Sequence, residues 1–213
     1  MRFLHQRAAA LAVVTTASLL LSACTGMSQG DELPEPGADA VRMAAVGDSI
    51  TEADSPDFTA GELGPESWVS YAVGEEIEFA GGWAQWGATT AQMAEGAGPV
   101  DADVLVILAG TNDSGWNAHD EVGRNLVRIA EAVGAPRVVL SSIPPLDDAP
   151  ELATELNSYL EDLAGEQGWE WVDAAAGLRD GERFAPGMAS DGVHPTQEGA
   201  RVIGEAVREA VSG

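Results

Sequence analysis

Apolar and polar positions follow two different rhythms along this chain from residue 41 onward. Short continuous apolar runs, of which residues 103–108 form the clearest, are typical of buried β-strands. Other stretches repeat an apolar residue every three or four positions, as Val122, Leu126 and Ile129 do, which is typical of amphipathic helices. Strands are predicted at residues 41–46, 76–80, 103–108, 137–140 and 169–172.

Helical segments fall between these predicted strands. They are predicted at residues 67–73, 89–95 and 122–133, in a helix that begins near Pro150, and in a last helix capped by Thr196. Strands that alternate with helices form parallel sheets with helices on both faces. We therefore expect one α/β domain over residues 41–213, without internal repeats.

The first 24 residues have the pattern of an export signal. Arg2 and Arg7 precede an uncharged, mostly apolar stretch that ends in Leu-Ser-Ala-Cys at residues 21–24. This ending resembles the lipobox of bacterial lipoproteins, which implies a signal peptide at residues 1–23 and a lipid on Cys24. The lipid would hold the exported protein on the extracytoplasmic side of the cell membrane, with residues 24–40 as a flexible acidic tether. An ordinary cleaved signal peptide is the alternative.

The charge balance excludes several classes of function. The chain has 35 acidic residues against 10 basic ones, a formal net charge of −25, and every basic residue is an arginine. A chain without lysine has no Walker-type phosphate loop, and the acidity argues against binding to nucleic acid. Cys24 is the single cysteine, so an internal disulfide is excluded, and three histidines supply a metal site poorly. A metal site is therefore not expected, and we expect the protein to be a monomer.

Four polar, glycine-containing stretches come directly after predicted strands or before the last helix. In open α/β sheets, sites form beyond the carboxyl ends of the strands, so these stretches are expected at one edge. Ser49 is the candidate nucleophile among them, and it needs a base, an orienting acid and an oxyanion site. Ser28 matches the G-x-S-x-G pattern, but it lacks the required preceding strand. The stretches are Gly-Asp-Ser-Ile-Thr at 47–51, residues 81–90, Gly-Thr-Asn-Asp at 110–113, and Asp-Gly-Val-His-Pro-Thr at 191–196.

Together these stretches resemble the conserved blocks of the SGNH hydrolases, also called the GDSL lipase/esterase family. The resemblance covers nearly all of residues 41–213 and implies a flavodoxin-like, three-layer α/β/α fold with about five parallel strands. It implies that Ser49 is the nucleophile, that His194 is the general base and that Asp191 orients the imidazole. It also implies an oxyanion hole made by the backbone N–H groups of Ser49 and Gly87 and the side-chain amide of Asn112. The resemblance further implies that the enzyme uses no metal and no organic cofactor.

One block departs from the family pattern. An asparagine usually opens the block that contains the oxyanion glycine, and here Gly82 occupies that position. This departure puts the support of the local turn in question, and Gly81 and Gly82 are alternatives to Gly87 as the donor. Asp48 and Asp113 are interpreted as structural carboxylates that bond turn amides.

Three tryptophans, one histidine and three loops near the four blocks could also contribute to the site. Trp83, Trp86 and Trp116 could wall an acyl or sugar pocket, or belong to the core. His119 is interpreted as a surface residue at the start of a helix. The loops at 52–66, 143–150 and 180–190 are expected to shape the substrate cleft.

These observations predict a secreted, lipid-anchored serine esterase for an acyl-ester substrate. Ser49 would form an acyl-enzyme that water, activated by His194, releases, and activity should fall when His194 is protonated. An acyltransferase or thioesterase would use the same site with a different acceptor. A non-catalytic envelope lipoprotein that binds glycan is a further alternative, although it would not need Ser49, Asn112, Asp191 and His194 together.

Overall fold

A five-stranded parallel sheet lies at the centre of the computed structural model, which describes residues 35–213. Its order is β2-β1-β3-β4-β5, and every neighbouring pair is parallel. Both features confirm the expected α/β fold. The strands are β1 (Val41–Gly47), β2 (Ile77–Ala84), β3 (Val104–Leu108), β4 (Arg137–Ser141) and β5 (Glu170–Val172).

Within residues 35–213, six α-helices connect the strands or follow them. The fourth and fifth each have an αL glycine after their last residue, Gly134 in one case and Gly168 in the other, which is a common way for a helix to end. A 3-10 turn at Ala176–Leu178 leads into a small antiparallel hairpin of β6 (Arg179–Asp180) and β7 (Arg183–Phe184). The helices are α1 (Ser49–Glu52), α2 (Val69–Ala72), α3 (Thr90–Gly96), α4 (His119–Val133), α5 (Pro150–Gln167) and α6 (Gln197–Ser212).

Each face of the sheet packs against its own set of helices. Alternate residues of β3 point to opposite faces, with Val104 and Val106 on one and Leu105 and Ile107 on the other. The first face packs against α2 and α6, and the second against α3, α4 and α5. The three-layer α/β/α sandwich expected from the family resemblance is therefore confirmed.

The second strand is longer than its sequence pattern predicts. It was expected at residues 76–80 but extends to Ala84, so Gly81 and Gly82 lie inside a strand. Its pairing with β1 shifts register between Met43 and Ala44, which is a β-bulge. Both glycines have positive φ, and a Cβ on Gly82 would overlap the carbonyl oxygen of Ala45. The glycines that look like breakers in the sequence are what allow this bulged strand to approach β1.

The described chain enters the domain at the end of the sheet opposite Ser49, where β1 begins. The Gly37 amide donates to Glu75 O (2.9 Å), and β1 then runs from Val41 to Gly47, directly before Ser49. Among residues 35–213, no helix is both long enough and apolar enough to cross a bilayer. The predicted signal peptide at 1–23 and the lipidation site Cys24 lie outside the described residues.

Candidate active site

The turn that carries Ser49 is held by the residues on either side of it. The Asp48 carboxylate accepts the Ile50 amide at 3.0 Å, and this bond caps α1. A Cβ on Gly47 would overlap the Thr51 hydroxyl and lie 2.7 Å from Leu108 O, so glycine is required here for close approach. The Thr51 hydroxyl in turn accepts the indole N–H of the buried Trp68 at 3.0 Å. Ser49 therefore sits on a rigid turn at the end of β1.

Ser49, His194 and Asp191 form a chain of short contacts. Ser49 Oγ lies 3.0 Å from His194 Nε2, and His194 Nδ1 lies 2.8 Å from Asp191 Oδ2. The other carboxylate oxygen of Asp191 accepts the backbone amides of Val193 (3.0 Å) and His194 (2.8 Å). The backbone and side-chain hydrogen bonds from His194 lower the pKa of Asp191 to about 2. An ionised carboxylate thus faces the imidazole, as the spacing of three residues predicts.

Asn112 and Gly87 follow β3 and β2, the two strands that flank β1. Asn112 Nδ2 donates to Ala88 O at 3.0 Å and to Asp48 Oδ2 over a longer 3.4 Å. Gly87 precedes Ala88 in a tight turn, with φ of +69° and open space where a side chain would project. The alternatives Gly81 and Gly82 lie within β2, so the turn after this strand belongs to Gly87.

Two carboxylates behind the site are buried, as their structural interpretation predicts. Asp113 accepts hydrogen bonds from the Thr90 backbone amide (2.9 Å), the Thr90 hydroxyl (2.9 Å) and the Asn117 side-chain amide (2.8 Å). These bonds tie α3 to the loop after β3. Burial raises the pKa of Asp48 to about 7, against the opposing effects of the Ile50 amide and His194. Asp48 is thus a carboxylate that is easily neutralised, placed one residue before the candidate nucleophile.

The three tryptophans near the site have different roles. Trp86 is the one that touches a candidate site residue: its ring stacks on the His194 imidazole with 5.0 Å between centroids and 30° between planes. Trp83 packs against the apolar layer beside α3, whereas Trp116 is 88% exposed. Sequence reasoning left these roles open, because the loop before Gly87 and the loop around His194 are over one hundred residues apart in the chain.

A small cavity of about 150 Å³ opens at Ser49. Two of the three loops expected to shape the cleft contribute to it, the first through Ala53 and Glu66 and the third through Ser190. The loop at 143–150 does not line it. The lining residues are Ser49, Ile50, Ala53, Glu66, Trp86, Ser190, Asp191, His194 and Pro195.

The other described histidine lies away from this cavity. His119 begins α4, as predicted, and its ring is tilted against Tyr159 at 5.2 Å between centroids. Among residues 35–213, no group of three or more histidine, cysteine or acidic side chains is arranged to hold a metal ion.

Comparison with known proteins identifies the family. Residues 45–202 match the GDSL-like Lipase/Acylhydrolase family, and this match includes Ser49, Gly87, Asn112, Asp191 and His194. The chain belongs to this family. The expectation of an SGNH/GDSL-type ester hydrolase is thereby confirmed at the level of the family.

Relatives of this GDSL domain include carbohydrate and lipid esterases. An acetylxylan esterase from Xylanibacter ruminicola is 25% identical over 84% of this chain, which spans 45% of that protein's length. A GDSL-like lipase structure from Bacteroides thetaiotaomicron superposes with a TM-score of 0.58 at 23% identity, covering 80% of this chain and 87% of that one. An acetylxylan esterase structure from Geobacillus stearothermophilus gives a TM-score of 0.61 at 16% identity, covering 81% and 94%. The two structures agree in fold with the GDSL domain.

Proposed function

We propose that this protein hydrolyses short acyl esters of neutral, hydroxyl-rich alcohols, with Ser49 as the nucleophile. The observation that carries the proposal is the line of contacts from Ser49 Oγ to His194 Nε2 (3.0 Å) and from His194 Nδ1 to Asp191 Oδ2 (2.8 Å). In this arrangement the imidazole takes the serine proton while the ionised carboxylate fixes its tautomer and stabilises its positive charge.

The reaction proceeds in two halves on this line of contacts. Ser49 Oγ attacks the ester carbonyl carbon, its proton passes to His194, and a tetrahedral oxyanion forms. The intermediate collapses when the alkoxide leaves with the proton from His194, and an acyl-enzyme remains. Water, deprotonated by His194, then attacks the acyl carbon, and Ser49 leaves as its hydroxyl to complete the cycle.

The oxyanion would be bound by the amides of Ser49 and Gly87 and by Asn112 Nδ2. Both hydrogens of the Asn112 amide are engaged in the free enzyme, one by Ala88 O at 3.0 Å and one by Asp48 at 3.4 Å. The longer bond is the weaker one, so the oxyanion would replace Asp48 as the acceptor. A donor of this kind typically contributes about 10²–10³ in rate.

Two features support a short acyl group and a carbohydrate as the alcohol. The cavity at Ser49 is only about 150 Å³ in volume, which leaves little room for a long acyl chain. Trp86 is 57% exposed at its mouth and offers a flat ring to the apolar face of a sugar. Acetylxylan esterase relatives share this chemistry, so acetylated xylan is the first polymer to test.

Labelling with a fluorophosphonate probe tests the nucleophile. Wild type should be labelled and should hydrolyse 4-nitrophenyl acetate, whereas Ser49→Ala should lose labelling and at least about 10³-fold in kcat. Ser28→Ala is the matched control and should behave as wild type. Equal labelling of wild type and Ser49→Ala, or no labelling of either, would contradict the proposal and favour a binding protein.

A panel of substrates tests the acyl group and the alcohol. Acetyl esters should be hydrolysed with a higher kcat/KM than butyryl esters, and long-chain esters should react least. Acetate release from acetylated xylan should depend on Ser49. A preference for long acyl chains would contradict the small cavity, and acyl transfer to an added alcohol in place of hydrolysis would favour the acyltransferase.

We also propose that Cys24 carries a lipid that anchors the protein to the cell membrane. The described chain enters at the end of the sheet opposite Ser49, so an anchor on that side would leave the cavity open to substrate. Cys24→Ser should move the protein from the membrane fraction to the soluble exported fraction, with unchanged kcat/KM on a soluble ester. Membrane retention that Cys24→Ser does not change would overturn the anchor.

A further inference from the structure

The ring that stacks on His194 is held in place by the residues that follow the nucleophile. The backbone amide of Trp86 donates to Glu52 Oε2 at 2.6 Å, and its indole N–H donates to Ala53 O at 2.9 Å. Both acceptors come directly after the Ser49 turn. We propose that Glu52 and Trp86 are positioning residues: Glu52 fixes the turn that carries Gly87, and the Trp86 ring holds the His194 imidazole in line with Ser49. The inference rests on the proposed function of Ser49 and His194.

The turn at 85–88 is supported at both ends by side chains from other elements. Within the turn, the Ala88 amide donates to Gln85 O (3.1 Å). A side chain at Gly82 cannot add support from β2, since its Cβ would overlap the carbonyl oxygen of Ala45 in the neighbouring strand. Asn112 holds the far end of the turn through Ala88 O (3.0 Å), and Glu52 holds the near end through Trp86.

Glu52 links the helix that begins at the nucleophile to the turn that contains Gly87. It is the last residue of α1, which begins at Ser49, so its backbone is fixed relative to the nucleophile. A carboxylate that accepts a backbone amide makes a stronger bond than a neutral acceptor does. The bond to the Trp86 N–H restrains the peptide plane between Gln85 and Trp86, which lies one residue before the plane that carries the Gly87 N–H.

The backbone after Glu52 is held in an unusual conformation. Ala53 has φ of +47°, and among residues 35–213 it is the one residue other than glycine with a positive φ. Such a conformation is costly for alanine and persists where the surroundings impose it. The surroundings include the bond from the Trp86 indole to Ala53 O and the bond from the Ala53 amide to Ser49 O (2.8 Å). Strain at this position is consistent with a contact that serves the site.

The stacking of Trp86 on His194 restricts the rotation of the imidazole. With Trp86 on its face and Asp191 on Nδ1, the imidazole has little freedom to rotate away from Ser49. An aromatic face also attracts a cation, so the stack favours the imidazolium that forms when Ser49 loses its proton. Trp86 thus links both groups that must be aligned during attack, the base and the Gly87 amide.

Four variants separate positioning from substrate binding. Glu52→Ala removes the acceptor for the Trp86 amide, and Glu52→Gln restores an acceptor oxygen. Trp86→Ala removes the ring and the indole bond, and Trp86→Phe restores the ring alone. Glu155→Ala, on the exposed side of α5, and Trp116→Ala, at the 88% exposed tryptophan, are the matched controls. Each is measured for kcat and KM on 4-nitrophenyl acetate, for the rate of fluorophosphonate labelling, and for its melting temperature.

Positioning predicts a loss of rate on both small reagents, neither of which contains a sugar. Glu52→Ala and Trp86→Ala should lower kcat and the labelling rate by about tenfold each, with KM within about twofold of wild type. Glu52→Gln and Trp86→Phe should recover part of the loss, to about threefold below wild type, and the controls should match wild type.

Three outcomes would overturn the inference. The first is kcat and labelling within about twofold of wild type in both alanine variants. The second is a change confined to KM for sugar esters, which would make Trp86 only a wall of the cleft. The third is that each alanine variant has the same rate as its conservative variant. If an alanine variant does not fold, the conservative variants decide: rates of Glu52→Gln and Trp86→Phe equal to wild type would also overturn the inference. Wild-type protein that no probe labels would instead refute the proposed function.

Discussion

Asp48 combines burial with a position next to the nucleophile. Its carboxyl group has no exposed surface, and burial raises its pKa from an ordinary value near 3.8 to about 7. The nearby Asp113 acts in the same direction, while the Ile50 amide and His194 oppose the change. The folded protein therefore binds a proton at Asp48 in a pH range where the unfolded chain has released it.

The stability of the folded state should depend on pH through this group. Between about pH 4 and pH 7 the folded state holds more protons at Asp48, so the free energy of unfolding falls as the pH rises. Asp48→Asn keeps an acceptor for the Ile50 amide but cannot titrate. Urea unfolding from pH 4 to 8 should show the variant gaining stability relative to wild type by more than about 1 kcal/mol across this range. A difference that stays constant with pH would contradict this prediction.

The candidate site residues differ in how far the sequence predicts them. Ser49 and Asn112 could be predicted, because each lies in a short block after a parallel strand and such strands bring their carboxyl ends together. Asp191 and His194 could be predicted because they lie three residues apart in a polar block just before the last helix. The stacking of Trp86 could not, because it depends on how two distant loops meet. The raised pKa of Asp48 depends likewise on burial by the whole fold, which no local pattern reports.

At the scale of elements, β2 shows where periodicity fails. The apolar runs of β1, β3 and β4 and the repeat in α4 predicted their positions closely, because burial of one face or of both imposes the pattern. In β2 the apolar pattern breaks at Gly81 and Gly82, and glycines at this position predict the end of a strand. The structure uses them for a bulge and a close backbone approach, a tertiary demand that is absent from the local sequence.

A glycine-to-alanine pair tests this account of β2. Gly82→Ala places a methyl group onto Ala45 O at φ of +151°, so it should destabilise the protein by more than about 2 kcal/mol. Gly165→Ala, on the exposed side of α5 with open space around it, should stabilise by about 0.5–1 kcal/mol. Thermal unfolding of both variants measures the contrast. Two variants of equal stability would show that the close approach at Gly82 yields easily.

At the scale of the whole molecule, the surface is strongly acidic. The formal net charge of −25 includes 35 acidic side chains, and the absence of lysine leaves few cations to offset them. Ion pairs such as Arg137 with Glu170 (2.9 Å) neutralise a small part of this charge. The remaining carboxylates repel one another more strongly in the compact state than in the unfolded chain.

Salt should therefore stabilise the fold at neutral pH. Raising NaCl from 10 mM to 0.5 M shortens the range of the repulsion from about 30 Å to a few ångströms, so the melting temperature should rise by several degrees. The same change near pH 4, where about half of ordinary carboxyl groups are protonated, should have a much smaller effect. A melting temperature that salt leaves unchanged at pH 7 would show that the acidic side chains are too dispersed to repel.

Both ends of the domain meet on the side of the sheet away from Ser49. Residues at the start of the described chain, Gly37 to Val41, share one surface hollow with Ser212 near its end. A polypeptide can therefore leave and return at nearly the same point, as in domains that are inserted into a host protein. The domain could therefore be joined to other domains, or coupled to a solid support, through either end. In both cases the cavity at Ser49 would stay open.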